Sequence, residues 1–568
     1  MKNKDLNVDK SNETENVPSD RRKFLSRLGK VAVAGAAVGT IGIKPFLGGK
    51  TEEAAAQKLG NVKSRRAARC YQLRVDAAQK HLDAFANEYH ANNNDEYLYD
   101  NKIANFTKGL PHNSNGEVSL TAYNALLRSL RGTPSDFEQI PMGGDRRLTN
   151  PLSGMAYDME GSDSQSLYVP PAPAFAGREI AAEIAENYWM ALLRDVPYQS
   201  YAENPIAQTA AADLNTFGDD FKGAKNSNGE VTPDNLFRGL TPGDKAGPFI
   251  SQFFYQNLFF GANEVSQRIR TVRGISDGGR DYMTDFNSWL SVQNGVSQSA
   301  DLYDPVPRYI RNGRDMGEWV HVDVLFQAYF QAFLIISNLN APFDSGNPYN
   351  NSTTQAGFGT FGSPHVASLL CEVATRALKA VWFQKWYVHR RLRPEVFAAR
   401  VHQTLYKNAN YPVHSEILNS VGSSSRLGKY LSSGNALLPM AFPEGSPVHP
   451  SYGAGHATVA GACTTILKAF FDESTVIQNP LVPDSTGLTL VPYTGSENLT
   501  VCGELNKLAS NVALGRNIAG VHWRSDGTES LKLGEALAIS ILRDQAGCYM
   551  EQFNGFSLTK FDGTTITV

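Results

Sequence analysis

Residues 365–403 read HVASLLCEVATRALKAVWFQKWYVHRRLRPEVFAARVHQ, and this stretch decides the fold class. Its apolar residues recur at intervals of three and four, the spacing of one face of an α-helix. The same periodicity occurs in five other segments, at 64–90, 179–195, 318–339, 454–472 and 527–545. We therefore predict an all-α fold, mainly helical with few strands.

Strand signals are few. The clearest lies at 556–568, where Asp562-Gly563 stands between short alternating runs and is typical of a β-hairpin. Three polar connections rich in Gly and Asn separate helical segments, at 92–120, 202–247 and 341–363. None of them resembles a domain linker, so residues 57–568 are expected to form a single helical domain.

The N-terminus carries the pattern of an export signal. Asp20-Arg21-Arg22-Lys23-Phe24-Leu25 precedes a short apolar run at 31–47. An arginine pair in this setting is typical of a twin-arginine signal, and Ala54-Ala55-Ala56 offers a cleavage site, which predicts a leader at 1–56. No other stretch approaches the roughly 20 apolar residues of a membrane span. We expect a periplasmic or extracellular protein whose mature form carries no membrane segment.

The amino-acid composition excludes several classes of protein. The 568 residues are 42% hydrophobic and 19% charged, which is enough to bury a large core and excludes general disorder. A net charge of -3 lacks the strongly basic footprint of a nucleic-acid-binding protein. The five cysteines show no CxxC or CxxH spacing, so neither a zinc nor an iron–sulfur site is indicated. The sequence leaves open the cysteine pairing and whether loop carboxylates bind a structural calcium.

Residues 382–394 combine Trp382, Lys385 and Arg393 on the predicted helix. If the helix continues to Pro394, Lys385 and Arg393 lie within about 80° of each other, two turns apart. Both cations would then face one pocket, which Trp382 would line one turn earlier. A basic cluster on a helix is also typical of a solvated face, so this segment does not decide the function alone.

Residues 449–457 read HPSYGAGHA and lead into the helix predicted at 454–472. A glycine-rich loop that feeds a helix N-terminus exposes backbone N–H groups and the positive end of the helix dipole, which favours an anion. Gly455 would donate through its amide. His449 and His456 flank the loop and could donate hydrogen bonds or move protons. A glycine turn with two capping histidines is the structural alternative.

Residues 515–526 read GRNIAGVHWRSD. On an unbroken helix Arg516 and His522 would be about 120° apart. We predict that Gly520 ends the helix in a left-handed cap, which turns His522 back toward the pocket that Arg516 faces. Ser525 or Asp526 is expected to cap the following helix, and Asp526 also to orient His522 through its other ring nitrogen.

Taken together, the three segments supply Lys385, Arg393 and Arg516 around a helix N-terminus, with histidines close by. Such a site calls for a multiply charged oxyanion. A purely structural interpretation requires each buried cation to find a carboxylate elsewhere, because unpaired buried charges are costly.

This ordered set resembles the vanadium-dependent haloperoxidases of the acid phosphatase superfamily, with their Lys…Arg-Pro helix, Gly-His loop and Arg-x5-His segment. The seven residues between Lys385 and Arg393, the lead-in His449-Pro450-Ser451-Tyr452 and the ending Gly-Val-His522-Trp523-Arg524 are similar to the bromoperoxidases of red algae and cyanobacteria. The resemblance covers about 318–545. It implies two four-helix bundles and commonly a large homo-oligomer.

The resemblance also implies a role for each site residue. It assigns the vanadate oxygens to four groups, the side chains of Lys385, Arg393 and Arg516 and the amide of Gly455. His522 would bind the vanadium covalently, His456 would act as acid and base, and Lys385 would polarise the peroxide. His449 and Trp382 match positions that tune the halide, and His449 favours bromide over chloride.

The implied activity is the oxidation of bromide and iodide by hydrogen peroxide to hypohalous acid or an equivalent, which halogenates an organic acceptor. Ala454 departs from the family, which usually has Ser before the Gly-His pair, so a hydroxyl donor is missing and weaker vanadate retention is expected. Two alternatives stand beside this function: an acid phosphatase with His522 as phosphohistidine nucleophile, and an exported oxyanion-binding protein without turnover.

Overall fold

The computed structural model describes the backbone of residues 52–85 and 90–568, and the side chains of 65–84 and 90–568. Arg21, Arg22 and the rest of the predicted export signal lie outside the described residues. Residues Cys70–Val568 form one compact unit, and the three predicted site segments all belong to it.

The described residues are mainly helical. In chain order the α-helices are α1 (Glu52–Phe85), α2 (Asp95–Leu98), α3 (Leu120–Arg131), α4 (Arg178–Leu192), α5 (Pro205–Leu214), α6 (Phe286–Gln293), α7 (Gly313–Val322), α8 (Gln327–Asn338), α9 (Ser363–Phe383), α10 (Pro394–Tyr406), α11 (Ser415–Val421), α12 (Gly455–Phe470), α13 (Val501–Ile518) and α14 (Arg524–Ala546). A π-helical turn, Gln384–His389, follows α9. Three antiparallel hairpins pair β1 (Leu258–Phe260) with β2 (Asn263–Val265), β3 (Leu481–Pro483) with β4 (Leu490–Pro492), and β5 (Ser557–Thr559) with β6 (Thr565–Thr567).

The mainly helical prediction is confirmed, with corrections at individual elements. The segment predicted as one helix at 318–339 is two, α7 and α8, because the backbone is extended at Asp323. Helix α5 lies inside the connection predicted at 202–247. The predicted C-terminal hairpin is present, and Gly563 adopts the left-handed conformation of its turn at φ +85°.

Two groups of four helices build the fold. Helix α12 packs against α9, α13 and α14, and the second group is centred on α4, which packs against α5, α10 and α11. Glycines allow the closest contact in the first group, since a Cβ at Gly461 would lie 2.1 Å from the Leu531 carbonyl oxygen and one at Gly534 would lie 2.0 Å from that of Thr458. The two groups agree with the pair of helical bundles that the resemblance implies.

Among the described residues, no individual helix has the length and apolar composition needed to cross a membrane. Helices α7 and α8 meet those criteria as a bent pair, with 103° between them.

Candidate functional site

The predicted helix through Lys385 and Arg393 is wrong. Helix α9 ends at Phe383, a π-helical turn follows, and Arg390 adopts a left-handed conformation at φ 43°. Arg393 then stands in extended conformation before α10, which Pro394 begins. The side chain of Glu96 holds Arg390 in place, with Arg390 Nε 2.9 Å from Glu96 Oε1. Because Glu96 is so distant in sequence, local helical periodicity could not indicate this break.

Lys385 and Arg393 nevertheless converge, because both donate to the loop that leads into α12. Lys385 Nζ donates to the carbonyl oxygens of Pro450 and Ser451, each at 2.8 Å. Arg393 Nη2 donates to the carbonyl of His449 at 2.9 Å and to that of Pro450 at 3.3 Å. Both side chains are fully buried. The two cations therefore lie side by side as predicted, although the backbone geometry that brings them together differs from the prediction.

The predicted helix N-terminus in the second segment is confirmed. Helix α12 begins at Gly455, and Ala454 precedes it without a side-chain cap. The Ala454 amide donates to Ser530 Oγ at 2.7 Å. A Cβ at Gly455 would lie 3.1 Å from Trp382 Cζ3, so the indole lies against the start of the helix. As residues of the first turn, Gly455 and His456 have no intrahelical acceptor for their amides, which leaves these donors for an anion.

His456 has a partner that sequence reasoning missed. Its Nε2 lies 2.9 Å from Asp323 Oδ1, and its side chain is 26% exposed. Burial of Asp323 opposes ionisation, but pairing with His456 lowers the pKa of its carboxyl below the usual value. Asp323 follows the last residue of α7 and is 133 positions from His456. No spacing in the sequence could have linked the two residues.

The third segment folds as predicted around Gly520. Helix α13 ends at Ile518, Gly520 is left-handed at φ +86°, and the Val521 amide donates back to the Arg516 carbonyl at 3.0 Å. This capping pattern reverses the chain after the helix. It brings His522 within hydrogen-bond distance of Arg393, whose Nη1 lies 3.0 Å from His522 Nε2.

Asp526 orients His522, as the sequence indicated. His522 Nδ1 lies 2.7 Å from Asp526 Oδ2, which also accepts from the Trp523 amide at 3.1 Å and so caps α14. A proton on Nδ1 leaves the lone pair of Nε2 for a ligand. Ser525 does not cap the helix, because it lies within the first turn of α14, where its amide donates to Glu183 Oε1 at 2.6 Å.

Two further side chains hold the Asp526 carboxylate, and sequence reasoning missed both. The Ser451 hydroxyl donates to Oδ2, and Arg391 Nη1 donates to Oδ1 at 2.8 Å. Arg391 also pairs with Glu183 at 2.9 Å. The orientation of His522 thus depends on a buried network that reaches into α4.

Arg516 completes the set of cations from the side of α7. Its Nη1 donates to the Val320 carbonyl at 2.6 Å, and its guanidinium lies over the Phe442 ring, 5.4 Å from the centroid. The Nε atom is buried and has no hydrogen-bond partner. A buried donor without an acceptor at this position fits the binding of an anion.

His449 and Trp382 line the same site. Their rings are 4.8 Å apart, and His449 Nδ1 lies 3.0 Å from Arg393 Nη2. The Trp382 indole donates to the Thr149 carbonyl at 3.0 Å. Burial, followed by the charges of Lys385 and Arg393, lowers the pKa of His449 well below its usual value. His449 is therefore a neutral side chain within contact of a guanidinium.

The three site cations are unpaired, in contrast to their neighbours. In the part of the chain that the structure describes, no carboxylate oxygen lies within 4.0 Å of the charged nitrogens of Lys385, Arg393 or Arg516. Adjacent arginines each have a buried glutamate partner: Arg390 with Glu96, Arg391 with Glu183, and Arg524 with Glu186. The carboxylate partner that the structural alternative needs for each site cation is therefore not found within this distance among the described residues.

Burial without a counter-ion disfavours the charged form of all three site cations. It lowers the pKa of Lys385 well below the usual value, with the positive charge of Arg393 as the next cause. It also lowers the pKa of Arg393 and of Arg516 to about 10. A bound anion would remove this penalty. The donors, the cations and the Nε2 lone pair of His522 together fit a tetrahedral oxyanion that accepts a nitrogen ligand, such as vanadate or phosphate.

The sequence is similar to a known protein family and to proteins that match most of its length. Residues 365–547 match a family model described as the VCPO second helical-bundle domain. The chain is 38% identical to a vanadium-dependent bromoperoxidase from Corallina pilulifera, over 89% of this chain and 98% of that protein. It is 35% identical to a vanadium-dependent bromoperoxidase from Ascophyllum nodosum, over 87% of this chain and 90% of that protein.

A solved structure supports the same relationship. The homohexameric second vanadate-dependent bromoperoxidase from Ascophyllum nodosum superimposes with a TM-score of 0.83 at 30% sequence identity. The match covers 94% of this chain and 95% of that one, so the two share their fold over nearly their full lengths.

Proposed function

The chain belongs to the vanadium-dependent bromoperoxidases, and from the geometry of its site we propose which residues hold vanadate and carry out the oxidation of bromide by hydrogen peroxide. The observation that supports this assignment best is the set of three buried cations without carboxylate partners beside an oriented histidine. The protein is an enzyme, a vanadate-dependent haloperoxidase.

Vanadate would be held by groups from all three segments. His522 would supply Nε2 to the vanadium, and the oxygens would be bound by the side chains of Lys385, Arg393 and Arg516 and the amide of Gly455. When bound, vanadate supplies Lewis-acid activation of hydrogen peroxide without a change in its own oxidation state. Arg393 Nη1, which donates to His522 Nε2 in the structure, would then be free to donate to an anionic oxygen.

The protein contributes fixed charges and proton transfer. Asp526 keeps the His522 Nδ1 proton in place, so the imidazole need not reorient when the anion binds. With an anion bound, Lys385 would supply a buried positive charge beside its oxygens and would draw electron density from hydrogen peroxide held there. His456, partly exposed and held by Asp323, exchanges protons between the site and solvent.

The residues beside the anion site favour bromide, with iodide accepted because it is easier to oxidise. His449 and Trp382 would set this preference by their position against Arg393 and Gly455. A steady-state comparison of the two halides at fixed peroxide tests it. We expect bromide to be oxidised faster than chloride, and comparable rates would contradict the assignment.

One experiment separates the enzyme from its two alternatives. Apoprotein reconstituted with vanadate should brominate a phenolic dye when bromide and peroxide are present, and a His522→Ala variant should not. His414→Ala, a histidine at the start of α11, is the matched control and should retain activity. Hydrolysis of p-nitrophenyl phosphate that added vanadate inhibits would indicate a phosphatase, and vanadate binding with neither activity would indicate a binding protein.

A homo-oligomer is proposed as the working state. The support is the homohexameric relative of the same fold, together with exposed apolar side chains such as Met159 (87% exposed), Phe358 (74%) and Met550 (86%). Light scattering coupled to size-exclusion chromatography should give a mass that is a multiple of the chain mass. A monomer at micromolar concentration would contradict the proposal.

Export to the periplasm or the extracellular space is proposed from the sequence alone. Arg21-Arg22 before the apolar run at 31–47 supports the twin-arginine route. Fusion of residues 1–56 to a reporter should give export that depends on the twin-arginine translocase. Replacement of both arginines by lysine should abolish it, and unchanged export would overturn this assignment.

A further inference from the structure

A second cluster of ionisable side chains lies at the last turn of α7, outside the oxyanion site. It consists of Asp301, Glu318 and His321, each of which offers a ligand atom within 4.8 Å of the others. His321 Nδ1 lies 3.3 Å from Glu318 Oε2 and 3.6 Å from Asp301 Oδ2. The side chains of both acidic residues are at least 95% buried. The cluster is therefore a set of facing carboxylates in the interior rather than a solvated acidic patch.

The His321 ring is fixed from its other sides. Its Nε2 lies 2.9 Å from Glu444 Oε1, and the ring stacks on Phe442 with centroids 3.8 Å apart. Because carboxylates only accept, His321 donates from Nε2 to Glu444 and from Nδ1 to Glu318, and a cation that displaces the Nδ1 proton would meet a lone pair beside the two carboxylates. A histidine whose second nitrogen is held by a carboxylate is the usual arrangement of a metal ligand.

The charge of the cluster is not balanced by the described residues. Among the described residues, neither Asp301 nor Glu318 has a lysine or arginine nitrogen within 4.0 Å. With Glu444, three carboxylates surround His321, and a protonated His321 balances only one of them. Glu318 Oε1 is buried and accepts no hydrogen bond of good geometry, although the Tyr303 phenol lies nearby. A cation bound between the carboxylates would satisfy Glu318 Oε1, whereas Asp301 Oδ1 already accepts from the Tyr282 hydroxyl at 3.1 Å.

We propose that Asp301, Glu318 and His321 bind a divalent first-row transition-metal cation, of which Mn²⁺ and Zn²⁺ are the test cases. An imidazole nitrogen beside two carboxylates suits these ions, whereas Ca²⁺ and Mg²⁺ take oxygen ligands. Glu444 then orients the histidine ligand.

A cation at this site would also affect the oxyanion site, because residues near His321 contact Arg516 and His456. Val320, beside His321, accepts the hydrogen bond of Arg516, and Asp323 pairs with His456. A cation bound at the last turn of α7 would fix both contacts at once. The site is nonetheless separate from the vanadate ligands, so metal binding can be measured whether or not the proposed function is correct.

Metal content tests the proposal directly. The full-length protein, stripped with a chelator, is titrated with Mn²⁺ or Zn²⁺ and analysed by elemental mass spectrometry after dialysis. We expect about one equivalent per chain, retained by His522→Ala and lost by Glu318→Gln and by His321→Asn. Glu264→Gln, an exposed glutamate on β2, is the matched control and should bind as the unmodified protein does. Ca²⁺ at the same concentration should not compete.

A second measurement needs no variant and covers the case in which those variants fail to fold. A crystal of the unmodified protein soaked in Mn²⁺ should show an anomalous peak between His321 Nδ1 and the two carboxylates. Absence of the peak, absence of a bound equivalent, or equal binding by folded Glu318→Gln would each overturn the proposal.

Discussion

His522 and Asp526 are joined by a hydrogen bond of 2.7 Å between Nδ1 and Oδ2, and both side chains are almost completely buried. The carboxylate receives three further donors, from Ser451, Trp523 and Arg391. It therefore has no freedom to rotate away from the imidazole. The pair fixes which nitrogen of His522 carries the proton and which carries the lone pair.

Replacement of Asp526 by Asn tests this relationship. The new amide can donate to Nδ1, which moves the ring proton to Nε2 and removes the lone pair that a vanadium ligand needs. We expect vanadate affinity to fall about 10- to 100-fold, the usual effect of removing the partner of a ligating histidine. The dissociation constant is measured by titration of the apoprotein. Glu529→Gln, on the same helix, should leave it unchanged, and an unaltered constant in a folded Asp526→Asn protein would contradict the role.

Replacement of Asp323 by Asn tests the partner of His456. We expect kcat for bromide oxidation to fall about 10- to 100-fold, since an acid–base histidine that loses its orienting carboxylate no longer presents its nitrogens correctly. Vanadate affinity should change less than kcat, because Asp323 contacts His456 and none of the proposed vanadate ligands. The two quantities are measured on the same preparations. A loss confined to vanadate affinity would show that Asp323 shapes the anion site instead.

Replacement of Ala454 by Ser would add a hydroxyl donor beside the proposed vanadate site. A hydrogen bond to a charged group contributes about 1.5 to 3 kcal/mol, so vanadate should bind at least tenfold more tightly. Serine at the residue before α12 should also cap that helix and raise the stability of the apoprotein. Thermal melting of the apoprotein measures the effect on stability, and titration with vanadate measures the effect on affinity. Ala454→Cys, similar in size but a weak donor, is the control, and an equal gain in affinity from both variants would argue against the hydrogen bond.

Helical periodicity predicted where the main helices lie, because burial of one helix face repeats every 3.6 residues and depends on local sequence. The cap at Gly520 was equally local, since a left-handed residue after a helix favours glycine. The break after Phe383 was not predictable in this way. It depends on Arg390, a residue type that ordinarily continues a helix, held at φ 43° by an ion pair to Glu96.

The candidate site shows the same contrast between features set by local sequence and features set by distant contacts. Lys385, Arg393 and His522 could be chosen from motifs because their residue types and spacing carry the chemistry. Asp323 and Arg391 could not, because their partners lie more than 100 positions away, and a lone Asp or Arg gives no local signal. Sequence motifs therefore select the groups proposed to bind the anion, whereas the contacts of Asp323 and Arg391 become visible only in the structure.

The ion pair of Glu96 and Arg390 should stabilise the turn that separates Lys385 from Arg393. Both side chains are more than 90% buried, and Tyr123 also donates to Glu96. Glu96→Gln leaves the guanidinium buried without a counter-ion, which costs about 3 to 5 kcal/mol. We expect a lower urea midpoint of unfolding. A Glu96→Gln/Arg390→Met double variant should recover part of the loss, since it removes the unpaired charge.

The stability difference between the unmodified protein and Glu96→Gln should depend on pH in a direction that the pKa of Glu96 sets. Burial opposes ionisation of Glu96, but the hydrogen bonds and charge of Arg390 prevail and lower its pKa below 4.5 in the folded protein. A carboxylate whose pKa is depressed by folding stabilises the fold fully above its unfolded pKa and loses that contribution as the pH falls through the folded value. The gap in unfolding free energy between the unmodified protein and Glu96→Gln should therefore be constant near neutrality and shrink below pH 4.5. A gap that stays constant into the acid range would show that the pair contributes through packing rather than charge.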